Sequence, residues 1–195
     1  PQSRARISSK GDHQPTVEAF RSIHSSLMLG DEARNAKVIL VTSTIPSEGK
    51  SFVTTNIALT FASHGERVIV LDGDLRMPNV AKSLDLSNSK GLLTVLSGKD
   101  KLDDVIQRSV DNNFDVLPTG GSTGNPTQIL CSSKFEEVLH ELRLRYDRVL
   151  IDSPPLAPVS DALNLVPNTD GVIYVIRFNT VKRKTAGACL RRLRE

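Results

Sequence analysis

The stretch VILVTSTIPSEGKS, residues 38–51, joins an apolar run to a polar loop and then to the start of a helical pattern. Val38 to Thr42 predicts a strand that is buried on both faces. Residues 50–64 have an amphipathic helical pattern, which Gly65 ends. Val68 to Leu71 then predicts a second buried strand. The stretch therefore belongs to a strand–helix–strand unit.

Strands and helices alternate along the rest of the chain as well. Apolar runs predict further strands at 114–117, at 149–151 and, again buried, at 172–176. Helical spacing predicts helices at 17–29 after an N-cap at Thr16, at 103–107, 161–166 and 181–194, and a helix face made of Phe135, Val138, Leu139 and Leu142. This alternation predicts an α/β fold, in which a mostly parallel sheet has helices on both faces. The ligand crevice of such a sheet lies at the carboxyl ends of its strands.

The loop after the first strand matches most of a phosphate-binding P-loop. Such a loop needs backbone N–H groups at a helix N-terminus, a lysine for the β/γ-phosphates and a hydroxyl for Mg²⁺. Gly49, Lys50 and Ser51 fill the last three positions of GxxxxGK[ST], and Thr44 replaces the first glycine. A lone GKS tripeptide also occurs in surface turns, but its place between a strand and a helix favours a P-loop NTPase-like fold. The candidate nucleotide-binding residues are Pro46, Ser47, Glu48, Gly49, Lys50, Ser51 and Phe52.

Three carboxylates follow predicted strands. Asp72 and Asp74 come after the second strand, and Asp152 follows a later one. A single Asp after a strand is more often a turn or N-cap residue. The carboxyl ends of parallel strands share one edge with the P-loop, so we expect all three to converge on Mg²⁺ and the γ-phosphate.

The charge distribution argues against nucleic acid as a partner. The chain has 195 residues, and 25 Lys+Arg against 22 Asp+Glu give a formal charge of +3. The basic excess lies in residues 1–10 and 177–195, so the stretch between them is acidic. Basic ends on an acidic body indicate segments near an anionic surface, such as a membrane, or solvated helix faces.

No segment is predicted to cross a membrane, because the longest apolar runs are far shorter than ~18 residues. The basic start lacks the apolar run of a signal peptide, so the chain as given is expected to be cytosolic. Residues 1–15 are polar and without period, which predicts a linker. Cys131 and Cys189 are 58 residues apart without metal-ligand spacing, which predicts two buried thiols.

Three segments resemble the Walker A, Walker A′ and Walker B motifs of bacterial tyrosine kinases (BY-kinases), a branch of P-loop ATPases unrelated to eukaryotic kinases. They are residues 46–51, Leu71-Asp72-Gly73-Asp74-Leu75-Arg76 and Ile151-Asp152-Ser153-Pro154-Pro155. Shorter segments are similar too: Glu18-Ala19-Phe20-Arg21, Gly91-Leu92, Val95-Leu96-Ser97-Gly98, Val116-Leu117-Pro118 before Gly120, Asn125-Pro126 and Ser160-Asp161-Ala162. The likeness runs from about Val17 to the last residue, and the A′ segment is its most specific part.

The resemblance implies ATP and Mg²⁺ as cofactors and a protein tyrosine as the phosphoryl acceptor. By position, Lys50 holds the β/γ-phosphates and Ser51 ligates Mg²⁺, while Asp74 and Asp152 hold the metal directly or through water. Asp72 is the first choice for the base that takes the tyrosyl proton, although the sequence does not separate it from Asp74. The catalytic candidates are therefore Lys50, Asp72 and Asp74.

The resemblance also implies a cellular location, a function and a set of partners. Residues 16–195 would be a cytoplasmic kinase domain at the inner membrane of a bacterium, and residues 1–15 its basic juxtamembrane linker. The implied function is an autokinase that regulates capsule or exopolysaccharide synthesis and export. The implied partners are an activating inner-membrane chain-length regulator, neighbouring copies in a ring, the C-terminal tyrosine tail of the same or a neighbouring copy, and a phosphotyrosine phosphatase.

Two features depart from the family pattern. Its oligomerisation motif ExxRxxR reads Glu18, Arg21 and His24 here. Because a histidine is only partly charged near neutral pH, His24 implies a weaker or pH-dependent ring, or it has no role. The tyrosine-rich tail is also absent from this sequence, since Tyr146 and Tyr174 are its two tyrosines and both are predicted to be structural.

Two other functions remain open. One is a nucleotide-gated oligomeric interaction module of the export complex, without significant kinase activity. The other is a partition-type ATPase, which resembles the septum-site and plasmid-partition proteins. Those proteins have a signature lysine at the position of Ile45, and this sequence has no lysine between Lys37 and Lys50.

Basic residues near the predicted crevice have two interpretations each. Arg76 either stabilises transition-state charge or neutralises Asp72 or Asp74. Residues 182–184 are all basic, and they either contact the adenine or a ring neighbour or form a solvated helix start.

Overall fold

The computed structural model describes residues 14–109 and 113–194, which contain one six-stranded sheet. Its strands are β1 (Val38–Ser43), β2 (Val68–Asp72), β3 (Gln107–Ser109), β4 (Phe114–Leu117), β5 (Arg148–Asp152) and β6 (Gly171–Val175). The strand order is β3-β4-β2-β5-β1-β6, and only the pairing of β3 with β4 is antiparallel. The predicted α/β fold with a mostly parallel sheet is thus confirmed.

Helices cover both faces of this sheet. They are α1 (Gln14–Leu29), α2 (Asp31–Asn35), α3 (Lys50–Ser63), α4 (Val80–Ser83), α5 (Leu92–Leu96), α6 (Leu102–Val105), α7 (Pro126–Leu130), α8 (Ser133–Arg145), α9 (Asp161–Leu165) and α10 (Arg183–Arg192), with a 3-10 turn at Val166–Asn168. One core contains apolar side chains of α5 to α9, including the predicted α8 face, and the other contains those of α1, α3 and α4. None of the helices within the described ranges is long and apolar enough to span a membrane.

The strands differ in burial according to their place in the sheet. Every residue of β1, β2 and β5 is buried, because these strands lie between two neighbours and between two helix layers. The prediction of a buried strand at 172–176 is wrong in this respect. β6 lies at the end of the strand order, its residues are only half-buried, and Ile176 beyond it is 51% exposed.

Two local predictions also need correction. The helix predicted at 103–107 ends at Val105, because Gln107 already pairs with Val116 in the antiparallel edge strand β3. Cys189 is buried as predicted, but Cys131 is exposed, since it caps the short helix α7 at the surface.

The linker predicted at residues 1–15 falls mostly outside the described residues. Its last two residues, Gln14 and Pro15, already belong to α1, so this helix begins before the predicted N-cap at Thr16. Pro15 suits this place, because proline is tolerated in the first turn of a helix, where its missing N–H has no helical partner.

The register of the parallel strands positions the predicted site. Asp72 at the end of β2 is paired with Asp152 at the end of β5. β1 ends between β5 and β6 at Ser43, directly before the predicted P-loop. The carboxyl ends of β1, β2 and β5 therefore form one edge of the sheet, and the loops that follow them meet there.

Candidate active site

A cleft of about 710 Å³ opens at this edge, between the loop after β1 and the segment after β2. Six of the seven predicted nucleotide-binding residues line it: Pro46, Ser47, Gly49, Lys50, Ser51 and Phe52. Asp74, Arg76 and Asp152 also face it. The structure thus brings together the lysine, the hydroxyl and two of the three carboxylates that the sequence singled out.

The loop before α3 has the backbone shape of an anion-binding turn. Ser47 and Gly49 both have positive φ, at 66° and 94°. A Cβ on Gly49 would meet nothing within 4 Å, so its left-handed conformation and not lack of space calls for glycine. Lys50 begins α3 directly after this turn, where free N–H groups and the helix dipole favour a phosphate.

Glu48 does not line the cleft, although it lies inside the loop. Its carboxylate is buried and accepts the N–H of Ile45 at 2.8 Å and the N–H of Arg177 at 3.2 Å. The side chain therefore ties the P-loop to the segment after β6. The Glu48 carboxylate is thus engaged within the protein, and the predicted place of Glu48 among the nucleotide-binding residues stays a prediction.

Asp152 forms the floor of the cleft beside the P-loop. Ser51 Oγ donates to its Oδ2 at 2.5 Å, and Thr54 Oγ1 donates to its Oδ1 at 3.3 Å. Burial raises the pKa of Asp152 to about 6, although the Ser51 hydrogen bond and the charge of Lys50 oppose the rise. The carboxylate is thus held in place by hydroxyl groups and has no direct ion pair among the described residues.

Asp74 is the second carboxylate in the cleft and is less deeply buried. Its Oδ1 accepts the N–H of Met77 at 3.0 Å, which fixes the turn after β2. Burial raises the pKa of Asp74, while that hydrogen bond and nearby Lys50 lower it. Asp74 remains open to the cleft and can reach a metal or an incoming hydroxyl.

Asp72 lies behind the cleft, with its side chain wholly buried. Its Oδ2 accepts the N–H groups of Asn79 at 3.0 Å and Val80 at 2.9 Å, and its Oδ1 accepts the N–H of Asp74 at 3.3 Å. Burial and the charge of Asp152 raise the pKa of Asp72 to about 8. The Asp72 carboxyl group therefore organises the segment after β2, and its predicted role as a base stays a prediction.

The donor set in the cleft fits Mg²⁺. Within residues 14–109 and 113–194, no basic side-chain nitrogen lies within 4.0 Å of a carboxylate oxygen of Asp72, Asp74 or Asp152. The same part of the chain has no cluster of three or more His, Cys, Asp or Glu that could hold a metal by itself. Mg²⁺ needs none, because it takes one or two carboxylates and completes its shell with water and phosphate oxygens. Ser51, Asp74 and Asp152 supply oxygens of that kind.

The structure assigns Arg76 a different partner from those predicted. Its guanidinium lines the cleft and pairs with Asp161 at the start of α9, rather than with Asp72 or Asp74. No role was predicted for Asp161, although it lies in one of the short segments that resemble the BY-kinases. The basic residues 182–184 are exposed at the start of α10, as a solvated helix start requires.

Both tyrosines have hydrogen-bond partners. Tyr146 Oη donates to Asp115 Oδ2 at 2.7 Å, and Tyr174 Oη lies 2.7 Å from Thr44 Oγ1 beside the P-loop. Burial raises the pKa of each phenol. These contacts agree with the structural role predicted for both residues.

The three predicted oligomerisation residues do not share one face of α1. Glu18 and Arg21 are exposed and paired at 2.6 Å. His24 instead stacks on His64 with ring centroids 4.1 Å apart and packs edge-on against Phe61. His24 is six positions after Glu18, and six positions turn a helix by about 600°, so its side chain lies about 120° around the helix from that of Glu18. Burial and the charge of His64 lower the pKa of His24, so it is neutral at physiological pH.

The strand order, the P-loop and the carboxylates at one sheet edge define a nucleotide-binding P-loop NTPase fold. Residues 36–187 match the family described as AAA domain. The chain is 34% identical to the tyrosine-protein kinase YwqD of Bacillus subtilis, over 87% of this chain and 71% of that protein. It is 37% identical to the putative tyrosine-protein kinase CapB of Staphylococcus aureus, over 89% of this chain and 77% of that protein. The chain therefore belongs to the bacterial tyrosine kinases.

Solved structures agree with this assignment. The kinase domain of the Escherichia coli tyrosine kinase ETK superposes with a TM-score of 0.85 at 31% identity, covering 91% of this chain and 70% of that one. The septum site-determining protein MinD of Pyrococcus horikoshii, solved with Mg-ADP, has a TM-score of 0.60 at 29% identity, covering 71% and 57%. Against the full-length ETK of Escherichia coli strain K12, this chain spans 25% of the sequence.

Proposed function

We propose that this domain is an ATP- and Mg²⁺-dependent protein tyrosine autokinase that regulates the synthesis and export of a polysaccharide. The observation that carries the proposal is the meeting of Lys50, Ser51, Asp74 and Asp152 in one cleft. Phosphoryl transfer needs positioning and charge neutralisation, and these four side chains supply both. Membership of the tyrosine kinase family supports the choice of tyrosine as the acceptor.

The residues of the cleft have different tasks in this proposal, and Asp74 has two. The N–H groups of the P-loop and the ammonium of Lys50 hold the phosphates. Ser51, Asp152 and Asp74 hold Mg²⁺, either directly or through water. When bound, Mg²⁺ offsets the negative charge on the phosphate oxygens.

Asp74 is the better placed of the two candidate bases, because it lines the cleft whereas the oxygens of Asp72 already accept three backbone N–H groups. Asp74→Asn and Asp72→Asn separate the two roles. We expect Asp74→Asn to lower kcat by about 100-fold in a folded protein. We expect Asp72→Asn to act mainly by loosening the segment that carries Asp74.

The proposal includes partners and a location at the inner membrane. The tyrosines of this sequence are held by hydrogen bonds, so the acceptor would be a C-terminal tyrosine tail of a fuller chain or of a neighbouring copy. Glu18 and Arg21 are exposed on α1 and are available for a homo-oligomeric contact. An inner-membrane chain-length regulator would activate the kinase, and a phosphotyrosine phosphatase would reverse the reaction.

A phosphorylation assay tests the proposal. Purified domain, Mg²⁺, ATP and a tyrosine-rich tail peptide are incubated, and phosphotyrosine is quantified by mass spectrometry. We expect transfer by the wild type and at least about 100-fold less by Lys50→Met. Lys184→Met is the matched control, because Lys184 is exposed on α10 outside the cleft. Undiminished transfer by Lys50→Met would contradict the proposal.

One observation favours a second function, a nucleotide-gated oligomeric interaction module without significant kinase activity. His24 is half-buried against Phe61 of α3 and has a lowered pKa, so one residue of the oligomerisation motif is coupled to the helix that follows the P-loop. Tight nucleotide binding that changes the oligomeric state, with no phosphotyrosine on a supplied tail peptide, would support this function instead.

A further inference from the structure

An unusual ion pair borders the cleft. Arg76 Nε donates to Asp161 Oδ2 at 2.6 Å, and Arg76 Nη2 donates to Asp161 Oδ1 at 3.2 Å. This two-point contact fixes the guanidinium plane, which a single contact would not do. The two partners differ in exposure: the Arg76 side chain is 40% exposed and the Asp161 side chain only 2%.

Asp161 is itself fixed by its surroundings. It begins α9, and its Oδ1 also lies 3.4 Å from Thr127 Oγ1 on α7. Thr127 in turn lies 3.5 Å from Asn164 Nδ2, so α7 and α9 are joined at this point. A carboxylate held by two packed helices is a rigid support for a side chain that reaches into a cleft.

The unequal exposure argues against a purely structural pair. A buried ion pair that serves stability hides both charges and satisfies all their donors. Here one edge of the guanidinium is bound, while Nη1 has no hydrogen-bond partner among the described residues. That free edge belongs to a side chain that lines the cleft together with Lys50 and Asp74.

We propose that Asp161 is a positioning residue, which holds Arg76 so that its free N–H groups face the phosphoryl group in transfer. This inference rests on the proposed kinase function. The charge that develops on the phosphoryl oxygens in the transition state is stabilised by a guanidinium at a fixed place. Asp161 also keeps Arg76 away from Asp74, the other carboxylate that attracts it. Without Asp161, Arg76 would be free to pair with Asp74 and occupy the metal site.

The experiment compares Asp161→Asn and Arg76→Lys, singly and together, in the tail-peptide assay. We expect each single variant to lower kcat by about 30-fold, because a loosened or shorter cation no longer fits the transition state. The KM for ATP should stay within about threefold, since Arg76 acts on the transition state and not on ground-state binding. The double variant should be no slower than the slower single one, because both changes break the same unit.

Asp100→Asn is the matched control. It breaks the ion pair between Lys90 and Asp100, which lies outside the cleft, so kcat should stay within about twofold of the wild type. A second measurement uses Arg76→Ala, whose change at a half-exposed side chain does not disturb the core. Added guanidinium ion should restore transfer in Arg76→Ala, and it should restore much less in Arg76→Ala combined with Asp161→Asn.

Two outcomes would overturn the inference alone. Wild-type kcat in folded Asp161→Asn is one, and equal rescue by guanidinium with and without Asp161 is the other. An inactive wild type that binds nucleotide would instead remove the proposed kinase function, and the inference with it.

Discussion

The amino ends and the carboxyl ends of the central strands differ in how their carboxylates are paired. The carboxylates at the amino ends are paired with arginine, whereas those that end β2 and β5 are not. At the amino ends of the strands, Arg148 is buried, bonds Glu66 at 2.7 Å and also donates to the carbonyls of Arg34 and Ala36. Nearby, Arg67 holds the pKa of Asp147 at about 2 through hydrogen bonds and its charge. At the carboxyl ends, the pKa values of Asp72 and Asp152 are raised to about 8 and about 6.

This difference shows which charges stabilise the fold and which are kept for chemistry. The charge of a carboxylate that is paired with arginine is already neutralised, so the carboxylate gains little from binding a cation. A buried carboxylate without a cation costs stability, and that cost is recovered when a metal binds. The carboxyl ends of the strands, where the carboxylates have no ion pair, are therefore the functional end of the sheet. Residues with strongly shifted pKa values commonly cluster at functional sites.

The largest expected effect on this comparison comes from neutralising Asp152, which forms the floor of the cleft. We expect Asp152→Asn to lower phosphoryl transfer by at least about 100-fold, because a ligand to Mg²⁺ is lost. Its melting temperature without Mg²⁺ should be no lower than that of the wild type, since a buried uncompensated charge is removed. A phosphotyrosine assay and differential scanning calorimetry measure the two effects. An active Asp152→Asn protein would remove this residue from the mechanism.

The opposite edge should respond in the opposite way. We expect Arg148→Met to lower the free energy of unfolding by about 3 kcal/mol, because it leaves the partners of a buried ion pair unsatisfied. The specific activity of the folded protein should remain within about threefold of the wild type. Urea denaturation measures the loss.

Arg67→Met is the matched control for this variant, since it breaks an exposed arginine–aspartate pair at the same edge. Exposed pairs contribute less than about 1 kcal/mol. If Arg67→Met cost as much as Arg148→Met, burial would not be the feature that distinguishes the two pairs.

The smallest expected effect is that of His24, whose ring lies among side chains from three segments of the chain. His64 at the C-cap of α3, Glu66 after it and Arg148 of β5 face its ring, and the pKa of His24 is lowered chiefly by burial. A histidine with a lowered pKa stabilises the fold fully above its unfolded value of about 6.5 and loses this stability as the pH falls below it. We expect a melting temperature that drops by a few degrees between pH 7.5 and 5.5. His24→Gln should lose part of that drop, and an unchanged pH dependence would assign it to other groups.

Much of the fold was predictable, because strongly apolar strands between periodic helices leave few other arrangements. The apolar run, polar loop and helical pattern of residues 38–65 were sufficient to predict the unit from β1 to α3. The burial of β6 was not predictable from its apolar run, since the strand order that places it at an edge depends on contacts between distant segments. The same reason explains β3, whose three residues pair with β4 in a way that local pattern does not indicate.

The site was predicted in composition but not in detail. The spacing of motifs located Lys50, Ser51, Asp74 and Asp152 in one cleft. It could not tell that Glu48 turns away to bond Ile45 and Arg177, because both contacts depend on the folded loop. The pairing of Arg76 with Asp161 joins residues 85 positions apart and needed the three-dimensional structure.

Titration of the Asp152 carboxyl carbon by ¹³C NMR tests most directly whether this buried carboxylate lacks a neutralising cation until a metal binds. In Mg²⁺-free buffer we expect Asp152 to titrate near 6, well above its ordinary value of 3.8. Addition of Mg²⁺ and ADP should move that titration below about 4, because a bound cation favours the charged form. A titration at the ordinary value that does not respond to Mg²⁺ and ADP would show that Asp152 is neither perturbed by burial nor a ligand of the metal.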